Sequence, residues 1–382
     1  MSGVPRRRVL RYVAEDGATG YSVAAGRLVA AVRVAGVEVE LLGLTHTHLG
    51  AGAEWVAHSR DEPAHATHAP ADAPTVMHLV PEHLAHVKPR TAGPFVVHTV
   101  WETDRIPAHW PALLNRSDGV IVPTGWNRDT FRAGGVEVPI EVVPHVACVP
   151  EHGGGARLAV PDDLVVFYTI ARWDERKLPE LAVRAFLEAF TADDPVALVV
   201  KTGALSEVRP VDGWGRQSPL YLTSGWQVAR LLREYPHPPR IQLWVDEWDD
   251  RRIAELHARG DCYITLTHGE GWGIGSFDAC AYGNPVIATG WGGHLSYLDG
   301  SPWLVDCDLV PVTSRAPSSY APDQRWARPH LDHAVELLHR VAADPAAARL
   351  DAQPLRDRVL RDYAGPVVAE QFSTALEHVG AL

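Results

Sequence analysis

The chain has 382 residues, 46% hydrophobic and 21% charged, a globular balance with material for more than one core. Forty-seven acidic side chains against 35 lysines and arginines give a formal net charge of -12, which argues against nucleic acid or an anionic lipid surface as a general partner. Four cysteines, at 148, 262, 280 and 307, form neither a CxxC pattern nor a disulfide framework, and no apolar run follows Arg6, Arg7 and Arg8 or reaches membrane-helix length, so a cytoplasmic protein without an integral membrane segment is expected.

The first strand is predicted over Val9–Ala14. It runs through the loop Asp16-Gly17-Ala18-Thr19-Gly20-Tyr21-Ser22 into a helix over Val23–Val34 and a second strand over Val37–Leu42, which makes one βαβ unit. Strands over Val76–Val80, Phe95–Val100, Gly119–Pro123 and Ile140–Val143 continue a parallel α/β sheet. Pro144–Gly155 holds two prolines and three consecutive glycines and reads as a linker. A second alternating set follows. Its strands are Leu164–Ala171, Ala197–Lys201, Ile241–Val245, Cys262–Leu266 and Pro285–Thr289; its helices are Leu178–Phe190, Asp250–Arg259 and Phe277–Tyr282. Ser206–Tyr221 reads as an excursion, and Leu331–Leu382 as helical with breaks at Pro345, Pro354 and Pro366. Two such halves imply a ligand in the cleft between them.

The densest chemical signal is 261-DCYITLTHGEGWGIGSFDACAYGNPVIATGWGGHLSYL-298. A buried strand enters a loop with glycines at 269, 271, 273 and 275, and a helix is predicted to start near Ser276, its cap. Glycines let main chain approach a ligand closely, and a helix start presents N–H groups and a positive dipole end that suit a phosphate. Glu270 precedes this turn and Asp278 lies in the expected first helical turn, where either carboxylate can accept hydrogen bonds from sugar or ribose hydroxyls. On residue chemistry alone the alternative stays open that Asp278 only favours the helix start and Glu270 is solvated.

The segment resembles the E-x7-E region of retaining GT-B glycosyltransferases, close to glycosyltransferase family 4. The matching elements are Glu270-Gly271-Trp272-Gly273, Asp278-Ala279, Gly283-Asn284-Pro285-Val286-Ile287 and Gly292-Gly293; Asp278 stands where glutamate is usual and His268 where serine is common. A second match is Phe167-Tyr168-Thr169-Ile170-Ala171 followed by Arg172 and Lys177, similar to a family strand ending in G-R with a lysine shortly after. The resemblance implies two doubly wound Rossmann-like α/β domains facing across a cleft, with 1–150 binding the acceptor, 160–360 the nucleotide sugar, and a helical tail, 361–382, packing back on the first. It further implies that Glu270 contacts the donor sugar and Asp278 the ribose. Arg172 and Lys177, with Gly273, Ile274 and Gly275 at the helix start, would hold the diphosphate without a metal or other cofactor. Fixed cations suit that task because the leaving nucleoside diphosphate gathers negative charge.

On the acceptor side the resemblance places the loop with Gly17 and Gly20, and 94-PFVVHTVWETDRIPAHW-110 offers His98, Glu102 and Asp104. His98 or Glu102 is expected to reach the cleft. A core histidine bonded to a main-chain carbonyl is the competing reading of His98. Trp173 and Trp272 flank the expected donor site and are candidates to stack on base or sugar.

Other signals are set aside. Of twenty histidines, those at 46, 48, 58, 65, 68, 78, 83 and 86 crowd the first half, but none forms a zinc pattern such as HExxH, and no metal site is expected. Asp246, Asp249 and Asp250 resemble a DxD cluster yet read better as an acidic helix start. The expected partners are a nucleotide sugar and an acceptor whose identity the sequence does not give. A GT-B epimerase or phosphorylase, or an inactive sugar-nucleotide-binding relative, stays open as an alternative.

Overall fold

The computed structural model describes residues 9–17, 19–49, 52–61, 67–85, 87, 91–149, 160–206, 222–313 and 319–382. Arg6 to Arg8, Ala18, most of the 206–221 excursion and the end of the expected linker lie outside them. The chain divides into two compact units, Met1–Ala147 with Arg361–Leu382, and Cys148–Leu360.

The first unit is built on strands β1 (Val9–Glu15), β2 (Glu38–Leu49), β3 (Gly52–Ser59), β4 (Thr75–His78), β5 (Phe95–His98), β6 (Gly119–Val122) and β7 (Ile140–Val142) in the order β3-β2-β1-β4-β5-β6-β7. Every pairing is parallel except β2 with β3. The β2–β3 hairpin was not foreseen. β3 is rich in glycine and alanine (Gly52, Ala53, Ala57), which carry little strand preference, and it pairs at an edge. Helix α1 (Gly20–Val34) is capped by Thr19, whose side chain accepts the Ser22 N–H. The short α2 (Trp110–Leu114) and α3 (Gly125–Ala133) follow β5 and β6.

The second unit carries β8 (Val165–Ile170), β9 (Val196–Lys201), β10 (Arg240–Trp244), β11 (Cys262–Thr265), β12 (Val286–Thr289) and β13 (Leu304–Val305), all parallel, in the order β10-β9-β8-β11-β12-β13. Its helices are α4 (Pro179–Ala189), α5 (Ser224–Leu232), α6 (Asp250–Arg259), α7 (Ile274–Ala281), α8 (Leu295–Leu298), α9 (Leu331–Ala343) and α10 (Pro345–Asp362). A hairpin of β14 (Cys307–Pro311) and β15 (Arg325–Pro329) stands apart from the sheet. The core joins Phe167, Phe186, Leu198, Ile264, Trp303 and Leu337, so sheet and helices bury one continuous apolar layer.

Pro345 and Pro366 do mark helix starts, whereas Pro354 sits inside α10 without ending it. The last helix, α11 (Gly365–His378), lies against α1, and Phe372 joins Tyr12, Leu28 and Val76 in the first unit's core. The Asp249 side chain caps α6 by accepting the Arg252 N–H, so the acidic cluster is a helix start. Cys262 and Cys280 are buried, Cys148 and Cys307 partly so, and none of the four is in a disulfide among the described residues.

Candidate functional site

A doubly wound sheet binds its ligand beyond the carboxyl ends of the strands, where the strand order reverses. In the second unit that point lies between β8 and β11. The loops leaving these two strands, 171–178 and 266–273, bring Arg176, Lys177 and Glu270 together.

Asp174 shapes the first loop. Its Oδ1 accepts the Lys177 N–H at 2.6 Å, and its carbonyl accepts the Leu178 N–H at 3.1 Å. Leu178 then takes φ 47°, the one positive φ outside glycine among the described residues. For an L-residue that conformation costs about 1–2 kcal/mol, and strain of this kind gathers at ligand sites. The turn sends the next two cations across to the second loop. Lys177 Nζ lies 2.6 and 2.7 Å from the two Glu270 carboxylate oxygens; Arg176 Nη1 donates to the Gly269 carbonyl at 2.7 Å and approaches Glu270 Oε2 at 3.4 Å. The Glu270 side chain is only 6% exposed. Burial alone would raise its pKa, but Lys177 and Arg176 outweigh it and hold the carboxyl below its ordinary value. The loops are laced further by His268 N–H and Thr267 Oγ1, which donate to the Arg176 carbonyl at 2.8 and 2.9 Å.

Gly273 is the N-cap of α7 with φ 84°, in the left-handed region, and a Cβ there would come 2.7 Å from Ser276 Oγ. This turn starts the helix at Ile274 rather than near Ser276. Ser276 is therefore inside the first turn, where its hydroxyl donates to the Gly273 carbonyl (2.9 Å) instead of capping. Asp278 becomes the fifth helical residue, in the second turn and not the first. Ile274 and Gly275 open the helix, where first-turn N–H groups lack intrahelical acceptors. Asp278 and Glu270 share a neighbour: burial raises the Tyr263 phenol, and both carboxylates raise it further. The Tyr297 hydroxyl pins the turn from below, 2.8 Å from Ser276 Oγ and 2.8 and 2.9 Å from the Trp272 and Gly273 carbonyls. Tyr297→Phe is expected to lower the unfolding free energy by about 1–2 kcal/mol, because buried polar groups lose a partner; urea unfolding of the two proteins measures this.

Arg172 is placed differently from its expected partner. Its side chain is 66% exposed and its guanidinium lies 3.7 Å from Asp174, whereas Arg176, which the sequence reading passed over, is 11% exposed and reaches Glu270. Trp173 and Trp272 are not stacking platforms. Trp173 is buried in the apolar core, and buried Trp272 packs on Phe277 and Tyr297 at 4.9 and 5.2 Å. His268 stacks on Trp326 at 4.3 Å and its Nδ1 meets the Ala327 carbonyl, so it docks the β14–β15 hairpin. His294 was also missed. It is buried, Nε2 contacts the Thr289 carbonyl at 2.7 Å, and Nδ1 has no hydrogen-bond partner.

In the first unit the strand order reverses between β1 and β4. Gly17 lies in the turn after β1 with its N–H on Asp16 Oδ1 (3.0 Å), and Gly20 begins α1. His98 ends β5 and is buried; its Nδ1 meets the Tyr12 hydroxyl at 2.9 Å rather than a main-chain carbonyl. Glu102 is half-buried and close enough to Tyr21 to help raise its phenol, after burial itself. No group of His, Cys, Asp and Glu among the described residues has the geometry of a metal site, and no helix among them is long and apolar enough to cross a membrane.

No protein-family model matches the chain. Across its length it superposes on the sucrose-phosphate synthase of Thermosynechococcus elongatus with a TM-score of 0.67, at 16% identity, covering 98% of this chain and 100% of that one. The chain has the GT-B fold. Two further GT-B structures, the Anabaena Alr3699/HepE protein in complex with UDP-glucose and the E. coli trehalose-6-phosphate protein bound with UDP-2-fluoro glucose, superpose with TM-scores of 0.61 and 0.62, each at 12% identity and covering 97% of this chain and 99% of theirs. In sequence, 238 residues are 27% identical to the D-inositol 3-phosphate glycosyltransferase of Geodermatophilus obscurus, spanning 60% of this chain and 44% of that protein. The aligned stretch is thus less than half of that relative's length. This GT-B chain is similar to glycosyltransferases in both sequence and fold.

Proposed function

We propose that the protein is a retaining glycosyltransferase of the cytoplasm that moves a sugar from a nucleotide-sugar donor to an acceptor hydroxyl without a metal ion. The observation that carries this reading is the pairing of Lys177 and Arg176 with buried Glu270 at the strand-order reversal, beside the start of α7. An ammonium has three donors, and two of those on Lys177 meet Glu270; the third is available to a phosphate oxygen. The second unit then binds the donor. Glu270 accepts hydrogen bonds from the sugar hydroxyls and Asp278 from the ribose. Lys177 and Arg172, with the main-chain N–H groups of Gly273, Ile274 and Gly275, hold the diphosphate. The first unit binds the acceptor through His98, Glu102 and the Gly17–Gly20 loop. In the reaction the acceptor oxygen bonds to the anomeric carbon as the bond from that carbon to the diphosphate oxygen breaks. The acceptor proton passes to the leaving diphosphate, on the same face of the sugar, so configuration is retained. UDP-sugar complexes of proteins with this fold support the donor class.

The test is release of nucleoside diphosphate from a panel of UDP, GDP and dTDP sugars with a panel of alcohols. One donor is expected to turn over, and Glu270→Gln to lower kcat by about 100-fold, the scale for losing a preorganised electrostatic contact in the transition state. Full activity in both Glu270→Gln and Lys177→Ala would overturn the site, and no release from any donor would overturn the reaction.

A further inference from the structure

Glu270 is held by groups from two other loops. From the loop after β8, Lys177 Nζ reaches both carboxylate oxygens, at 2.6 and 2.7 Å, and Arg176 Nη1 stands 3.4 Å from Oε2. From the loop after β12, the Gly293 N–H donates to the Glu270 carbonyl at 2.7 Å. His294 in the same loop adds no positive charge, because burial pushes its pKa below the ordinary value. Burial works against the carboxylate as well, yet Lys177 and then Arg176 outweigh it and keep Glu270 ionised.

The two cations are not equivalent. Arg176 is tied at both ends. Its guanidinium donates to the Gly269 carbonyl at 2.7 Å, its own carbonyl accepts from the His268 N–H and the Thr267 hydroxyl at 2.8 and 2.9 Å, and its side chain is 11% exposed. Lys177 is anchored only at its root, where Asp174 Oδ1 accepts its main-chain N–H; its side chain is 24% exposed, so the ammonium has an open flank. A phosphate drawn to these loops meets Lys177, while Arg176 stays with Glu270.

An anion on that flank meets a competitor. Two of the three ammonium donors already serve Glu270. The carboxylate is 6% exposed, so little water screens its charge from a diphosphate beside it. A nucleotide sugar eases the conflict, because its sugar hydroxyls donate to Glu270. A nucleoside diphosphate lacks that sugar. Once the sugar has left with the acceptor, carboxylate and diphosphate contend for one ammonium.

We propose that Glu270 determines which nucleotide the site prefers: by competing with the diphosphate for Lys177, it weakens the hold on the nucleoside diphosphate product relative to the intact nucleotide sugar and so promotes product release. The proposal rests on the second unit being the donor-binding half. It gives one side chain opposite effects on turnover and on product affinity.

The experiment is isothermal titration of UDP, GDP and dTDP, and of the nucleotide sugar that turns over, into the full chain and into Glu270→Gln, with urea unfolding to show that the variant is folded. In the unaltered protein the diphosphate is expected to bind more weakly than its nucleotide sugar. Glu270→Gln keeps the shape and removes the charge. It is expected to bind the diphosphate about tenfold more tightly, the scale of one charge-assisted contact regained, and the nucleotide sugar no more tightly, although its kcat falls. A merely structural role for Glu270 would weaken both. Glu175→Gln is the control: it removes a carboxylate of the same loop that makes no bond to Lys177, and should leave diphosphate affinity little changed. Equal or weaker diphosphate binding by folded Glu270→Gln overturns the proposal, as does equal tightening in Glu175→Gln. Should Glu270→Gln not fold, a diphosphate bound more tightly than its nucleotide sugar by the unaltered protein overturns it. Absence of release from every donor would sink the glycosyltransferase reading, whereas the three diphosphate titrations decide the competition at Lys177 by themselves; no binding of any of them to either protein overturns it.

Discussion

Replacing Lys177 by methionine is expected to destabilise the second unit by about 3 kcal/mol and to abolish most nucleoside diphosphate release. The stability loss follows from Glu270, whose carboxylate is 6% exposed and bonded through both oxygens to the Lys177 ammonium. Removing one member of a buried pair leaves the other charge uncompensated, at a cost of about 3–5 kcal/mol; Arg176 at 3.4 Å and the partly open flank of Lys177 place this case near the lower figure. Methionine preserves the apolar stem, so the loss reports the charge. The pH dependence has a definite sign. The folded-state pKa of Glu270 lies below its unfolded value, so the pair's contribution is fully present above the ordinary glutamate pKa and is lost as pH falls through the lowered folded value. In Lys177→Met the main force lowering that pKa is gone while burial, which raises it, persists. Stability of the variant should therefore begin to depend on pH at a higher pH than in the unaltered protein. Urea unfolding from pH 4 to pH 8 on both proteins and on Lys177→Met/Glu270→Gln measures all of this; the double variant should recover part of the loss because the orphaned charge is gone. A Lys177→Met protein of unchanged stability would show that the pair is not closed in solution.

Much of this arrangement was legible in the sequence, and what was not has physical reasons. The runs over Val165–Ile170 and Val196–Lys201 are continuous and apolar because parallel strands are covered on both faces, and α6 begins and ends where its charges predicted. Glu270 was found by its setting among glycines. Arg176 was not, because strand-to-cation spacing does not say whether Arg172 or Arg176 turns inward beside Lys177; that is decided by the left-handed Leu178 and the Asp174 turn, neither of which has a local signature. Trp173 and Trp272 stand next to the site in sequence yet are buried, a choice of direction that irregular loop backbone does not announce in its residues. The contacts of Tyr12 with His78 and His98 span 66 and 86 residues, a separation that no periodicity encodes and only the strand order β1-β4-β5 creates. The start of α7 moved by three residues, from Phe277 to Ile274, because Gly273, rather than Ser276, supplies the turn.

Gly293→Ala is expected to cost about 3 kcal/mol or more in stability and to remove detectable activity, although the residue touches no ligand in the proposed reaction. Here the loop after β12 closes on the loop that bears Glu270. The Gly293 N–H donates to the Glu270 carbonyl at 2.7 Å, and a Cβ at position 293 would lie 2.1 Å from the Gly271 carbonyl oxygen and 3.1 Å from that of Glu270. The obstructing atoms are main chain, so no rotamer change relieves the clash; one loop has to move. Overpacking by a single methyl costs about 1–3 kcal/mol in cores that can shift side chains, and a backbone obstacle belongs at or beyond the top of that range. Moving the 269–273 turn also displaces Glu270 from Lys177 and tilts Gly273 at the head of α7, so structural and functional losses share one cause. That makes the variant informative beside Tyr297→Phe, which loosens the same turn from its other side through hydrogen bonds alone. The measurement is paired: thermal unfolding of both variants, and isothermal titration with the nucleoside diphosphate identified by the release assay. Gly293→Ala should lose binding and stability together, whereas Tyr297→Phe should keep measurable binding. Normal nucleotide affinity in a folded Gly293→Ala protein would show that the two loops need not touch for the donor site to form.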